Sequence, residues 1–192
     1  MSVRILALCG SSRRDSLNQM LLDRAVRGAR DAGAEVTQIS LRDLQLPFYD
    51  GDSEAESGLP PAAVALKAQL AAHDALLIAT PEYNGGYTAL LKNALDWASR
   101  PTETDRSGLG SVSGKPAALI SASPGALGGI RSQSALQTVL HKMGVMVIPN
   151  AFALSFAHQS FDEQGVPRDA NVDKLVQGVG AALAKIAGKH TA

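Results

Sequence analysis

Ala75-Leu76-Leu77-Ile78-Ala79-Thr80-Pro81-Glu82-Tyr83-Asn84-Gly85-Gly86-Tyr87-Thr88 reads as a strand running out into a loop. The apolar run 75–79 has strand length and is too short for a buried helix. Downstream, Leu91, Ala94, Leu95 and Ala98 recur at helical spacing. A loop that leaves the carboxyl end of a strand and feeds a helix is where open α/β sheets bind ligands. Two of the three tyrosines, Tyr83 and Tyr87, sit in this loop, which suggests a flat ring ligand.

The same alternation extends in both directions. Val3 to Cys9 reads as a first, mostly buried strand, followed by a loop over 10–16. A helix from Leu17 is striped by Leu21, Leu22, Ala25, Val26 and Ala29, with Gly33 placed as its C-terminal stop. Ala34 to Ser40 alternates polar and apolar residues, as a strand at a sheet edge would. Leu41 to Leu59 has no period and reads as one long irregular loop. Pro60-Pro61 opens a helix to about Ala72. Gly114 to Ser121 gives a fourth strand, Ala122 to Gly129 a glycine-rich loop, and Ala135, Leu136, Val139, Leu140 and Met143 a helix ended by Gly144. Val145 to Ile148 is a fifth strand. Phe152, Leu154 and Phe156 alternate and can extend the sheet, and a last helix is striped by Val172, Leu175, Val176, Val179, Leu183 and Ile186.

This is an α/β pattern: five parallel strands with helices on both faces, in one domain over 1–192. With the second strand at an edge, the doubly wound order is 2-1-3-4-5. That order puts loops 10–16 and 81–87 side by side at the switch point.

Composition narrows the function classes. The 192 residues carry 18 basic and 18 acidic side chains, for a formal net charge of zero. A nucleic-acid partner is not expected without a basic cluster, nor a membrane role without an apolar run near the ~20 residues that span a bilayer. The opening run is too short and punctuated for a signal peptide. The single cysteine, Cys9, has no internal disulfide partner, which fits a reducing cytoplasm. His73, His141, His158 and His190 are scattered without metal-ligand spacing, so no metal site is expected.

Loop 10–16 brings Ser11, Ser12, Arg13, Arg14 and Ser16 to a helix N-terminus, with Asn18 just inside it. Orphan backbone N–H groups there favour an anion, and Gly10 lets the backbone come close. Ser11, Ser16 and Asn18 can donate to phosphate oxygens and Arg13 can add a charged fork. The plainer reading is a helix capped by Ser16 with solvated arginines. The loop matches neither the Walker pattern nor the dinucleotide fingerprint.

In the second loop Glu82 has no titratable partner within the motif, so it reads as a turn residue before a catalytic one. Pro81, Asn84 and Gly85 are residues that shape main chain. Trp97 reads as core, and Lys92 with Asp96 as an exposed i,i+4 pair. The loop from Ser121 to Gly129 is either a second wall for a ring or a simple strand-to-helix turn. Arg131 is placed to meet a ligand, a second substrate or a partner subunit.

Gly10-Ser11-Ser12-Arg13 with Ser16 and Asn18, then Pro81-Glu82-Tyr83-Asn84 and Leu91-Lys92-Asn93-Ala94-Leu95-Asp96-Trp97, resemble the flavodoxin-like NAD(P)H-dependent FMN reductases, a group that includes quinone, chromate and azo-dye reductases. The resemblance implies FMN with its phosphate at Ser11, Arg13, Ser16 and Asn18, beside Gly10 and Leu17. It implies an isoalloxazine on Pro81, Glu82, Tyr83, Asn84 and Gly85, with Ser121 and Gly128 on the far side. No residue is singled out as catalytic, because hydride passes through flavin N5, from NADPH or NADH to a small-molecule acceptor such as a quinone, free flavin, azo dye or metal oxyanion. A homodimer or homotetramer is implied, and a cytoplasmic location is expected. Where the family carries Pro-Gly, this chain has Thr88-Ala89, and Thr88 can still cap the helix. The competing readings are a flavodoxin-type electron carrier and a flavin-sensing module. A carrier usually has a strongly acidic surface, which a net charge of zero does not provide.

Overall fold

The computed structural model describes residues 2–190. The ends of the expected 1–192 domain, Met1, Thr191 and Ala192, lie outside the described residues. Along the chain run β1 (Arg4–Cys9), α1 (Leu17–Asp31), β2 (Glu35–Ser40), α2 (Gly51–Ser57), α3 (Pro61–Ala72) and β3 (Ala75–Ala79). They are followed by α4 (Ala89–Ala98), β4 (Pro116–Ala122), α5 (Ile130–Lys142), β5 (Met146–Val147), β6 (Phe152–Leu154) and α6 (Ala170–His190).

The strands pair in parallel in the order β2-β1-β3-β4-β5, the doubly wound order expected. The fifth position is shared by two short strands. β5 pairs with Pro116 and Ala117 of β4, and β6 with Ile120, Ser121 and Ala122. Pro149, which has no N–H to donate to a ladder, falls between them, and the sheet therefore has six strands.

Alternate residues of the strands serve opposite faces. Ile5, Ala7 and Cys9 join Leu77, Ala79 and Ile120 under α1 and α6. Leu6 and Leu8 join Leu76, Ile78 and Leu119 under α3, α4 and α5. Small residues let α1 and α6 meet backbone to backbone. A Cβ on Gly28 would lie 2.0 Å from the Gln177 carbonyl oxygen, and one on Gly180 1.9 Å from that of Ala25. Beside this seam Arg24 donates two hydrogen bonds to Asp173, at 2.6 and 2.8 Å.

The stretch 41–59 is not one irregular loop, because it contains α2. That helix has no buried residue and so no stripe to read. Its Asp50 cap accepts from the N–H groups of Asp52 and Ser53. Glu54 accepts from the Tyr49 hydroxyl and from Arg100 Nε, while the Arg100 guanidinium lies 4.9 Å above the Tyr49 ring. The rest of the stretch is fastened to α4. The Pro47 carbonyl accepts from Asn93 Nδ2 at 2.9 Å and from Trp97 Nε1 at 2.8 Å, and Tyr49 N–H donates to Asn93 Oδ1 at 2.8 Å. Trp97 is core, as expected, and also a clamp on this segment.

These ion pairs make stability depend on acid. The bonded guanidinium of Arg24 lowers the Asp173 carboxyl below its usual range, and that of Arg100 does the same to Glu54. A carboxylate lowered by folding adds stability that is complete above its unfolded pKa, near 4, and is lost as pH falls through the lowered value. The urea midpoint is expected to stay flat from about pH 7 to 5 and to fall below about pH 4. Asp173→Asn should be less stable at pH 7 and lose part of that acid slope. An unchanged slope would count against this pair as a source.

No helix among the described residues is long and apolar enough to cross a membrane.

Candidate functional site

β1 and β3 end level with one another, Cys9 opposite Ala79, while β4 runs two residues past Ile120, the partner of Ala79. Their three following loops meet at that edge. At the start of the first loop Gly10 N–H donates to the Ala79 carbonyl at 2.8 Å. At its end Ser16 caps α1, its Oγ accepting from Gln19 N–H at 3.2 Å. The capping reading of Ser16 therefore holds. Arg13 is exposed, and its guanidinium has no bonded partner among the described residues. Beneath the loop, burial pushes the Cys9 thiol up, against smaller opposing hydrogen bonds from Ser11 N–H and the Ser16 hydroxyl. A thiol so placed is a small floor residue, not a nucleophile.

Asn18 is placed differently from expectation. Its side chain is buried and clasps the end of β4, with Nδ2 donating to the Ala122 carbonyl at 2.8 Å and Oδ1 accepting from Ala122 N–H at 2.9 Å. One amide hydrogen is left over.

In the second loop Tyr83 and Gly86 exchange backbone hydrogen bonds at 2.9 and 3.0 Å around Asn84 and Gly85, whose φ angles are 53° and 79°. These are the left-handed values that a two-residue hairpin needs at both centres, and Asn-Gly supplies them at least cost. The hairpin projects Tyr83, which is 53% exposed. Thr88 caps α4, accepting from Leu91 N–H. The Lys92–Asp96 pair is present on the outer face of that helix.

Glu82 is more than a turn residue. Its side chain is only 8% exposed, and Oε1 accepts from Arg131 Nε at 2.7 Å and forms a close ion pair with Arg131 Nη2. The partner missing from the motif thus comes from α5, which also answers where Arg131 goes. The second oxygen, Oε2, is buried without a hydrogen-bond donor among the described residues.

The third loop is braced from behind. Ser121 Oγ donates to the Gly128 carbonyl at 2.7 Å, while Gln133 Nε2 donates to Ser121 Oγ at 2.6 Å and to the Phe152 carbonyl at 2.8 Å. Gly128 and Gly129 have φ of 62° and 91°, and a Cβ on either would fall within 3 Å of Ala153 or Ser121. Only glycine fits both the angles and the space.

The three loops enclose a cleft of about 80 Å³. Ser11, Arg13, Ser16, Leu17 and Asn18 line one side, and Pro81, Glu82 and Tyr83 another. Gly10, Asn84, Gly85, Ser121 and Gly128 do not reach it; they set the backbone or the bracing behind it. Ala122, Ser123 and Pro124, from the loop over 121–129 considered as a second wall, complete the lining. β4 was expected to stop at Ser121 and continues one residue further, which carries these residues to the rim.

A larger cavity, about 720 Å³, lies elsewhere, between α3 and the 102–111 loop. The buried Lys67 ammonium there donates to the carbonyls of Ala98, Arg100 and Gly108, so it fastens the loop and is not free for a ligand. No group of three or more potential metal ligands occurs among the described residues.

A family model described as NADPH-dependent FMN reductase matches residues 3–159. The chain is 38% identical over 177 residues to an NAD(P)H-dependent FMN reductase of Pseudomonas aeruginosa, covering 91% of this chain and 90% of that one. It is 34% identical to an NAD(P)H:quinone oxidoreductase of Solanum tuberosum, covering 97% and 94%. Among solved structures, the flavoenzyme NAD(P)H:acceptor oxidoreductase FerB of Paracoccus denitrificans superposes with a TM-score of 0.79. It is 30% identical, over 98% of each chain.

Proposed function

The chain belongs to the NADPH-dependent FMN reductase family, and from that premise we propose that it is an FMN-dependent enzyme that oxidises NADPH or NADH and reduces a quinone or a similar small acceptor. The observation that carries this reading is the convergence of three loops at one sheet edge. An unpaired guanidinium, Arg13, stands at one side of the cleft and a buried, half-bonded carboxylate, Glu82, at the other, with an exposed ring, Tyr83, beside them.

These residues fit FMN. Ser11, Arg13 and Ser16 would hold the phosphate at the N-terminus of α1, and Asn18 would add only its remaining amide hydrogen. Pro81, Glu82, Tyr83 and Asn84 would carry the ring, with the unpartnered Glu82 oxygen offering an acceptor to a ring N–H. Gly85 shapes that loop, Gly10 and Leu17 close the phosphate side, and Ser121 and Gly128 set the opposite wall. The cleft is too small to enclose a tricyclic ring, so the ring would lie against Tyr83 at the rim, open to a second substrate. When bound, FMN supplies hydride relay through its N5 between the nicotinamide and the acceptor. The protein contributes position and backbone donors, which explains why its site holds no matched acid and base.

The chain is read as one flavodoxin-like domain over 1–192. A homo-oligomer is supported by large apolar side chains exposed at Phe48, Tyr83, Leu127 and Ile130, and a cytoplasmic location by the single free cysteine. Turnover separates the enzyme from an electron carrier or a flavin sensor. The purified protein is expected to be yellow, or to become so on adding FMN, and to bleach with NADPH. It should then oxidise NADPH steadily when a quinone is supplied. Failure to take up FMN, or no turnover with quinones and free flavin, would overturn the reading.

A further inference from the structure

Thr88 closes the second loop, and its hydroxyl is bonded in two directions. Oγ1 accepts from Leu91 N–H at 3.2 Å, which caps α4. The same Oγ1 donates to the carbonyl of Gly10 at 2.6 Å, across 78 positions of sequence. The side chain is 3% exposed, so water does not compete for either bond. Gly10 is thereby fixed at both of its backbone groups: its N–H is held by the Ala79 carbonyl at the end of β3, and its C=O by the first residue of the α4 cap.

Those two bonds govern the path of the chain beyond Gly10. A peptide unit is planar, with its C=O and N–H pointing opposite ways. A Gly10 carbonyl held on Thr88 therefore fixes the Ser11 N–H on the other side, over the Cys9 thiol on the inner side of the loop. The approach is close: a Cβ at position 10 would lie 3.2 Å from Thr88 Oγ1 and 3.3 Å from Leu91 Cβ, so one of them would have to give by a few tenths of an ångström. One hydroxyl thus ties the departure of the first loop to the end of the second.

We propose that Thr88 is a positioning residue for the cofactor, holding the phosphate loop in register with the ring loop through its donated bond to Gly10. The proposal rests on the FMN reading above. A cap alone needs only an acceptor, whereas the positioning role needs a donor, and substitutions separate the two. Thr88→Ser keeps both functions, Thr88→Asp keeps the cap and loses the donor, and Thr88→Val loses both.

The experiment is FMN titration of the full-length variants, followed by flavin fluorescence, with melting temperatures measured alongside. Loss of one neutral hydrogen bond is worth about fivefold to tenfold in affinity. The dissociation constant is expected to rise by about that factor in Thr88→Val, by at least as much in Thr88→Asp, and to stay within about twofold in Thr88→Ser. Melting should fall in Thr88→Val through loss of the cap. FMN affinity unchanged in either variant lacking the donor, or lost equally in Thr88→Ser, would overturn the positioning role. Wild-type chain that binds no FMN would instead overturn the cofactor reading itself.

Discussion

Arg13→Ala is expected to weaken FMN binding about tenfold to hundredfold while leaving the melting temperature unchanged. The guanidinium is exposed and makes no bond or ion pair with the described residues, so the fold loses no contact with it. It lines the cleft beside Ser11 and Ser16, at the N-terminus of α1. A hydrogen bond between a guanidinium and a phosphate is worth about 1.5–3 kcal/mol, which sets the expected range. Riboflavin, which has the ring but no phosphate, supplies the control, and its affinity should barely respond. Arg13→Lys keeps the charge without the planar fork and should fall between the two. If FMN and riboflavin weakened together, Arg13 would be acting on the ring or on the loop, and the phosphate assignment would fail.

The second large effect is on folding. Gly180→Ala is expected to destabilise the chain by about 3 kcal/mol or more, at or beyond the top of the usual cost of overpacking. Such costs are moderate when side chains can yield, but here the added Cβ would meet the Ala25 carbonyl at 1.9 Å and Ala29 N at 2.9 Å. Backbone inside a helix cannot step aside, so α1 and α6 must separate. Separation would loosen the packing of Leu22 and Val26 against Val176 and Leu183, and the Arg24–Asp173 pair with it. For a chain of this size 3 kcal/mol corresponds to a fall of roughly 10 °C in melting temperature. Gly178, two residues earlier on the same helix, is exposed with open space around its Cβ position. Gly178→Ala should therefore stabilise, by about 0.5–1 kcal/mol. Opposite signs from the same change two residues apart would establish the contact; equal signs would refute it.

How much could be read before folding depends on the range of each signal. Strands β1, β3 and β4 are continuous apolar runs and β2 alternates, so the sheet order could be written from local pattern alone. Thr88 as a cap and Lys92 with Asp96 are separated by three or four positions and were equally legible. Glu82 was not, because its partner Arg131 lies 49 residues away and no local rule joins them. Asn18 looked like a phosphate donor by its place in the first loop, yet most of its amide is taken by Ala122, 104 residues distant. α2 escaped for the opposite reason: it buries nothing, so no period marks it, and its support comes from Asp50, Tyr49 and Arg100. The Leu-Lys-Asn-Ala-Leu-Asp-Trp run announced itself as a motif, but its physical sense appears only with the segment around Pro47 that Asn93 and Trp97 grip.

The backbone contact between α1 and α6 also orders events in time. α1 leaves the ribosome well before α6, yet each supplies the surface the other needs. Until synthesis has passed Gly180, the groove of α1 at Gly28 has no occupant and one face of the sheet has only half its cover. The loop at the head of α1 rides on that helix. Its final seating therefore waits until α6 has been made.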